Sequence, residues 1–148
     1  MKRIGDICNR DPKTIRLGAT MREAAALVSR DQCSDIMVID DQDRFAGVLS
    51  EGDLIRAVIP RLDELISAED GSLTRACEVF TGSADPGRGD QSIDRLIIRN
   101  AIVLHPDDDL LKAGIVMVTK QIRRLPVVDG DQLIGTVSRA DLCLAILS

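Results

Sequence analysis

The octapeptide GVLSEGDL at 47–54 recurs as GTVSRADL at 135–142, with glycine, serine, aspartate and leucine at the same four places. The two copies lie 88 residues apart (135 minus 47). Upstream the correspondence continues at an offset of 89 (93 minus 4): Ile4 matches Ile93, Arg10 Arg99, Ala24 Ala113, Gln32 Gln121, Val38 Val127 and Asp40 Asp129. One residue is lost where IDDQDRFAG becomes VDGDQLIG, which accounts for the change of offset. A unit of about 50 residues has too little core to be secure alone, so the copies are expected to pack together as a pseudo-twofold pair.

Each copy carries the same pattern of elements. A short extended piece, 13–15 or 102–104, leads through a polar turn into a helix. Met21, Ala24, Ala25 and Val28 share one helical face, as do Leu110, Ala113, Gly114 and Met117. Thr20 and Glu23 have capping-box spacing, and Asp107, Asp108 and Asp109 place negative charge at the positive end of the equivalent helix. Two strands rich in β-branched residues follow, DIMVID to FAGVLS and RLPVVD to LIGTVS, and the repeated octapeptide opens a second helix. The expected class is therefore α+β, two β-α-β-β-α motifs at 1–59 and 93–148. The intervening 60–92 has weak helical spacing at Leu62, Leu65, Ile66, Leu73, Cys77 and Phe80, so a partly helical insert is expected there, as either a docking arm or a spacer. Its Arg88, Gly89 and Asp90 spell an adhesion tripeptide, read here as coincidence.

Composition narrows the function. The apolar runs are short of the roughly 20 residues that span a bilayer, and MKRIGDICNRDP lacks the apolar stretch of a signal peptide, so a soluble, cytoplasmic chain with no membrane role is expected. A net charge of −5 and the absence of Trp and Tyr argue against nucleic acid as the main partner. Cys8, Cys33, Cys77 and Cys143 form no CxxC pair and meet one histidine, His105, which reads as a turn residue; buried reduced thiols are expected and no metal site.

Two readings of the repeated corner stay open. A serine between strand and helix is a good N-cap, and an acid three residues later resembles a capping box, which explains Ser50, Asp53, Ser138 and Asp141 without any ligand. Capping boxes prefer the longer Glu or Gln, however. A short aspartate facing outward can instead accept hydrogen bonds from vicinal ribose hydroxyls, with the serine and the helix N–H groups turned to phosphate. Gly47 and Gly135 would leave room where backbone and ligand approach.

With these motifs the chain resembles the cystathionine β-synthase (CBS) domain, two of which in tandem form a Bateman module. The resemblance rests on IGDICNRDPKTIRL and CSDIMVIDDQDRFAGVLSEGDL in the first copy and IDRLIIRNAIVLHPDDDLLKA and IRRLPVVDGDQLIGTVSRADL in the second. It implies a regulatory module with no enzyme activity and no required cofactor. The implied ligand is AMP, ADP or ATP, less often S-adenosylmethionine, NAD or a cyclic dinucleotide. Carried over by position, Asp141 and Ser138 would hold ribose and phosphate in one site, with Val103 and Leu104 edging the base and Pro126 and Val127 opposite. In the other site the equivalents are Asp53 and Ser50, Thr14 and Ile15, and Met37 and Val38. The family also implies a homodimer through helices of both copies, and a module without an attached effector domain would act on a separate, unidentified partner protein.

The sites are not expected to be equal. Arg123 and Arg124 align with Ser34 and Asp35, and an arginine pair favours phosphate where an aspartate repels it, so the second-copy site is preferred. Lys13, whose counterpart is Ile102, partly compensates in the first. The alternative function is a structural or oligomerisation module with vestigial pockets, in which serine and aspartate serve only as caps. No nucleophile and base, metal-ligand cluster or P-loop appears at recognisable spacing.

Overall fold

The structure, a computed structural model, describes residues 2–58 and 87–148. The helical spacing read at Leu62, Leu65, Ile66, Leu73, Cys77 and Phe80 lies outside the described residues. In chain order the elements are α1 (Ile4–Ile7), β1 (Thr14–Arg16), α2 (Met21–Asp31), β2 (Asp35–Ile39), β3 (Phe45–Ser50), α3 (Glu51–Val58), two 3₁₀ turns (Arg88–Asp90 and Asp94–Leu96), α4 (Leu110–Thr119), β4 (Arg124–Asp129), β5 (Gln132–Ser138) and α5 (Arg139–Leu147). β1 runs parallel to β2, and β2–β3 and β4–β5 are antiparallel hairpins. The protein is α+β, and each copy is built on the expected plan.

Local chemistry sets the element ends. Thr20 Oγ1 accepts from the Glu23 N–H at 3.2 Å while Glu23 accepts from the Thr20 N–H at 2.9 Å, closing the capping box of α2. Asp109 caps α4 by accepting from the Lys112 N–H. Gln32 and Gln121, matched in the repeat, both take left-handed φ of 50° and 55° just after α2 and α4. The hairpins carry register shifts at equivalent places, Val38/Ile39 and Val127/Val128.

The first strand of the second copy is reduced to one parallel bridge, Leu104 with Val127. In the first copy the Met37 N–H donates to the Lys13 carbonyl at 3.0 Å. The residue equivalent to Met37 is Pro126, which has no N–H to give Ile102, so the ladder begins later.

The two copies exchange their leading segments. Ile4 is fully buried among Leu104, Ala113, Met117, Leu125, Val127, Val137 and Leu142 of the second copy. Its counterpart Ile93 is equally buried among Met21, Ala24, Ile36, Val38, Leu49 and Leu54 of the first. Each segment is also tied by backbone: Asn9 and Thr136 exchange two hydrogen bonds of 2.8 and 2.9 Å, and Ile98 and Val48 exchange two of 2.9 and 3.1 Å. Burying one isoleucine side chain contributes about 1.5–3 kcal/mol, so each copy's core is incomplete by that much without the other's segment.

This exchange explains the repeated glycines. A Cβ on Gly135 would stand 2.4 Å from the Asn9 carbonyl oxygen, and one on Gly47 would stand 2.5 Å from the Ile98 carbonyl oxygen. The close approach is by the chain's own backbone rather than by a ligand.

The Arg88–Asp90 turn is pinned rather than presented: Arg88 donates to the Ala57 carbonyl and Asp90 pairs with Arg22. His105 lies in its turn with Nδ1 3.1 Å from the Val128 carbonyl oxygen. Cys8 and Cys33 are half-buried, but Cys143 is exposed, because the outer face of α5 has nothing packed on it among the described residues. No helix among the described residues is long and apolar enough to cross a membrane.

Candidate functional site

Two clefts flank the seam between the copies, and their walls correspond residue by residue. The first has Asn9, Asp11, Pro12 and Lys13 on one side and Cys33, Asp35 and Met37 on the other; the second has Ile98, Asn100, Ala101 and Ile102 facing Ile122, Arg124 and Pro126. Thr136 closes the first cleft and its counterpart Val48 the second. Their volumes are about 120 and 260 Å³.

The walls differ in chemistry. The first cleft is polar and holds three carboxylates, of Asp11, Asp31 and Asp35, against Lys13 and Arg124. The second is lined mainly by aliphatic residues and has one carboxylate, Asp35, and one cation, Arg124. Burial pushes the Asp35 carboxyl above the ordinary aspartate value, opposed by the Ser34 hydroxyl at 3.3 Å and by the charge of Arg124. Burial likewise pushes the Cys33 thiol up, with the Asp31 charge adding to it, so Cys33 is a poor nucleophile.

Alternation along the strands sorts the candidate residues. Met37 and Pro126 face the clefts, whereas Val38 and Val127 are fully buried in the two cores, together with Leu104. Ile15 packs against the first core, and Thr14 and Val103 line neither cleft. Lys13 lines the first cleft, and its counterpart Ile102 lines the second. The two arginines part company: Arg123 is exposed and lines neither cleft, while Arg124 lines both and donates from Nη1 to Thr136 Oγ1 at 3.2 Å.

The repeated corners lie beside the clefts rather than in their walls. Arg124 stands opposite Ser138 in the strand register, as Asp35 stands opposite Ser50. Ser138 Oγ accepts from the Asp141 N–H at 3.1 Å, and Asp141 Oδ2 accepts from the Ser138 N–H at 2.9 Å. The short aspartate thus does reach back and closes a capping box, contrary to the argument from side-chain length. Its second oxygen, Oδ1, has no protein partner among the described residues. In the first copy Ser50 Oγ donates to Asp53 Oδ2 at 2.8 Å and Arg56 reaches Asp53 Oδ1 at 3.3 Å, so both carboxylate oxygens are engaged. Position 56 is Leu144 in the second copy, which leaves Asp141 without an equivalent arginine.

Several cleft residues are not among the candidates read from the sequence, although they lie within the matched motifs: Asn9, Asp11, Ile98, Asn100, Ala101, Val48 and Thr136. One signal could have found Val48 and Thr136, since each directly follows the motif glycine against which the exchanged segment lies.

Comparison with known proteins gives a consistent account. The family model described as CBS domain matches residues 4–60 and again 93–148. A homoserine O-acetyltransferase of Methanohalophilus mahii is 25% identical over 85% of the chain, which spans 20% of that protein's length. The Arabidopsis thaliana CBS-pair protein CBSX2, solved in complex with AMP, superposes with a TM-score of 0.73 at 24% identity over 99% of this chain and 97% of that one. The CBS domain pair of protein MJ0100, solved with 5′-methylthioadenosine and S-adenosyl-L-methionine, gives 0.69 at 19% identity over 99% and 96%.

Proposed function

Because this chain belongs to the CBS domain family as a tandem pair, we propose that it is a regulatory module that binds an adenosine-containing nucleotide of the AMP, ADP or ATP type in the second cleft. The observation that carries this is the second cleft itself, an aliphatic slot with Arg124 in its wall. Aliphatic walls suit a planar base in a chain without Trp or Tyr, and a guanidinium suits a phosphate. At about 260 Å³ the cleft falls just below the roughly 300 Å³ lower end of ligand pockets, so a whole nucleotide would extend beyond its mouth. The neighbours solved with AMP and with S-adenosyl-L-methionine favour the same ligand class.

The first cleft fits the alternative, a vestigial pocket, because three carboxylates line it. We retain the division into motifs at 1–59 and 93–148 and an insert at 60–92. A homodimer through the second copy is favoured by the exposed apolar face of α4 and α5, where Leu111 is 69% and Val118 76% exposed. The equivalents of Leu111, Ile115, Val118 and Leu144 in the first copy are Arg22, Ala26, Ser29 and Arg56, so contact through helices of both copies is less favoured. Signalling to a separate protein is part of the proposal.

A thermal-shift panel of AMP, ADP, ATP, S-adenosylmethionine, NAD and cyclic dinucleotides tests the reading. A ligand at 100 times its Kd stabilises the folded state by about 2.7 kcal/mol. Silence from every compound at millimolar concentration defeats it.

A further inference from the structure

Asp35 and Arg124 occupy the same position of the two copies (124 minus 35 is 89), and each of them lines both clefts. The repeat therefore places on its seam one acid and one base where a symmetric pair would have two of a kind. Arg124 uses Nη1 on Thr136 Oγ1 and forms no ion pair, so Nε and Nη2 have no partner among the described residues. Asp35 has one oxygen on the Ser34 hydroxyl.

We propose, resting on the nucleotide-binding reading above, that Arg124 is a single phosphate receptor shared by the two clefts, so that one chain holds one phosphorylated ligand at a time. The planar guanidinium grips one phosphate through two parallel hydrogen bonds. A second phosphate entering from the other cleft then meets a cation already neutralised, the charge of the first ligand, and the carboxylate of Asp35 in a partly desolvated setting. Among the described residues the one other cation in either wall is Lys13, which is opposed in its own cleft by Asp11 and Asp31. Loss of the charge-assisted contact weakens the second binding event by at least about tenfold. Asp35 is thus the residue that keeps the first cleft from having a phosphate receptor of its own.

Calorimetric titration of the whole chain with AMP, checked by equilibrium dialysis, reads the stoichiometry. The wild type is expected to take up one AMP per chain, Asp35→Arg to take up two, and Arg123→Gln to behave as wild type. Arg124→Gln is expected to lose at least about tenfold of the preference for AMP over adenosine. Two AMP per wild-type chain with equal affinity overturns the sharing while leaving nucleotide binding intact. So does one AMP per chain in Asp35→Arg, since the first cleft is then closed for another reason. If Asp35→Arg does not fold, Asp35→Lys serves, since it also supplies the first cleft with a cation: a second AMP per chain supports the sharing, and a single AMP per chain up to millimolar concentration refutes it. No AMP or adenosine bound by the wild type removes the nucleotide reading itself, and this inference with it.

Discussion

Replacing Gly135 with alanine separates two explanations of the repeated glycine. A Cβ there would stand 2.4 Å from the Asn9 carbonyl oxygen and 3.2 Å from both the Asn9 carbonyl carbon and Cys8 Sγ. Asn9 cannot retreat freely, because its N–H and carbonyl are both bonded to Thr136. Relief of the clash therefore costs one or both of those bonds, each worth about 0.5–1.5 kcal/mol net. It also loosens the seating of Ile4, and overpacking of this kind costs about 1–3 kcal/mol. A loss of roughly 2–4 kcal/mol follows, or roughly 4–16 °C in Tm for a chain of this size. Gly18→Ala is the control, since nothing lies within 4 Å of a Cβ there and only its φ of +86° opposes substitution; it should cost about 1 kcal/mol. Urea and thermal unfolding of ligand-free protein measure both. If Gly135→Ala is as stable as wild type and loses only ligand affinity, the segment exchange is not what demands glycine.

Three further outcomes are expected. Ser138→Ala should lower stability by about 1 kcal/mol in urea unfolding without any ligand present, as loss of an N-cap does; unchanged stability would mean the serine does not cap α5. Val118→Glu should turn a dimer into a monomer in sedimentation experiments, with secondary structure retained; a dimer that persists would place the interface elsewhere. Asp35→Asn should stabilise the protein at neutral pH. A carboxyl raised by burial contributes stability that is fully present below its unfolded value of about 3.9 and lost as pH rises through the folded value, so the gain should vanish in acid. A wild-type minus variant difference that is flat with pH would contradict the burial of Asp35. The difference isolates Asp35 from Asp40 and Asp108, whose lowered values act in the opposite direction.

The order of elements was legible because it rests on periodicity and on caps that act locally: Thr20 with Glu23, Asp109, and the β-branched hairpins all behave as their chemistry requires. The exchange of segments was not, for a physical reason. The match of Ile4 with Ile93 states that two residues are equivalent, but equivalence holds equally whether each packs on its own copy or on the other. The clefts were half legible. Motif positions name neighbouring pairs such as Met37 and Val38, or Pro126 and Val127, and alternation then gives one of each pair to the cleft and the other to the core. Arg123 and Arg124 look like a pair in one dimension and diverge for the same reason. That Asp35 and Arg124 serve both clefts could not be read locally, because it depends on where the seam runs.

The second cleft is wired to the apolar face through few bonds, which bears on how a bound ligand would be felt elsewhere. Ile122 lines the cleft, and its carbonyl accepts from Arg139 Nε at 3.0 Å. The same guanidinium donates from Nη2 to the Met117 carbonyl near the end of α4, at 3.1 Å, and the Arg139 N–H donates to the Arg123 carbonyl. Arg139 is the first residue of α5, so one side chain ties the cleft wall, the end of α4 and the start of α5. The equivalent residue in the first copy is Glu51, whose backbone N–H keeps its bond to Ser34 but whose carboxylate cannot donate to those carbonyls. The Arg139 side chain therefore sits at the junction of α4 and α5, the two helices whose outer face carries the exposed Leu111, Ile115, Val118 and Leu147. The second cleft is joined to that face by the Arg139 hydrogen bonds, and the first cleft lacks the corresponding side-chain clamp. The copy with the more apolar cleft is thus also the copy with the exposed apolar face and the Arg139 bonds between them.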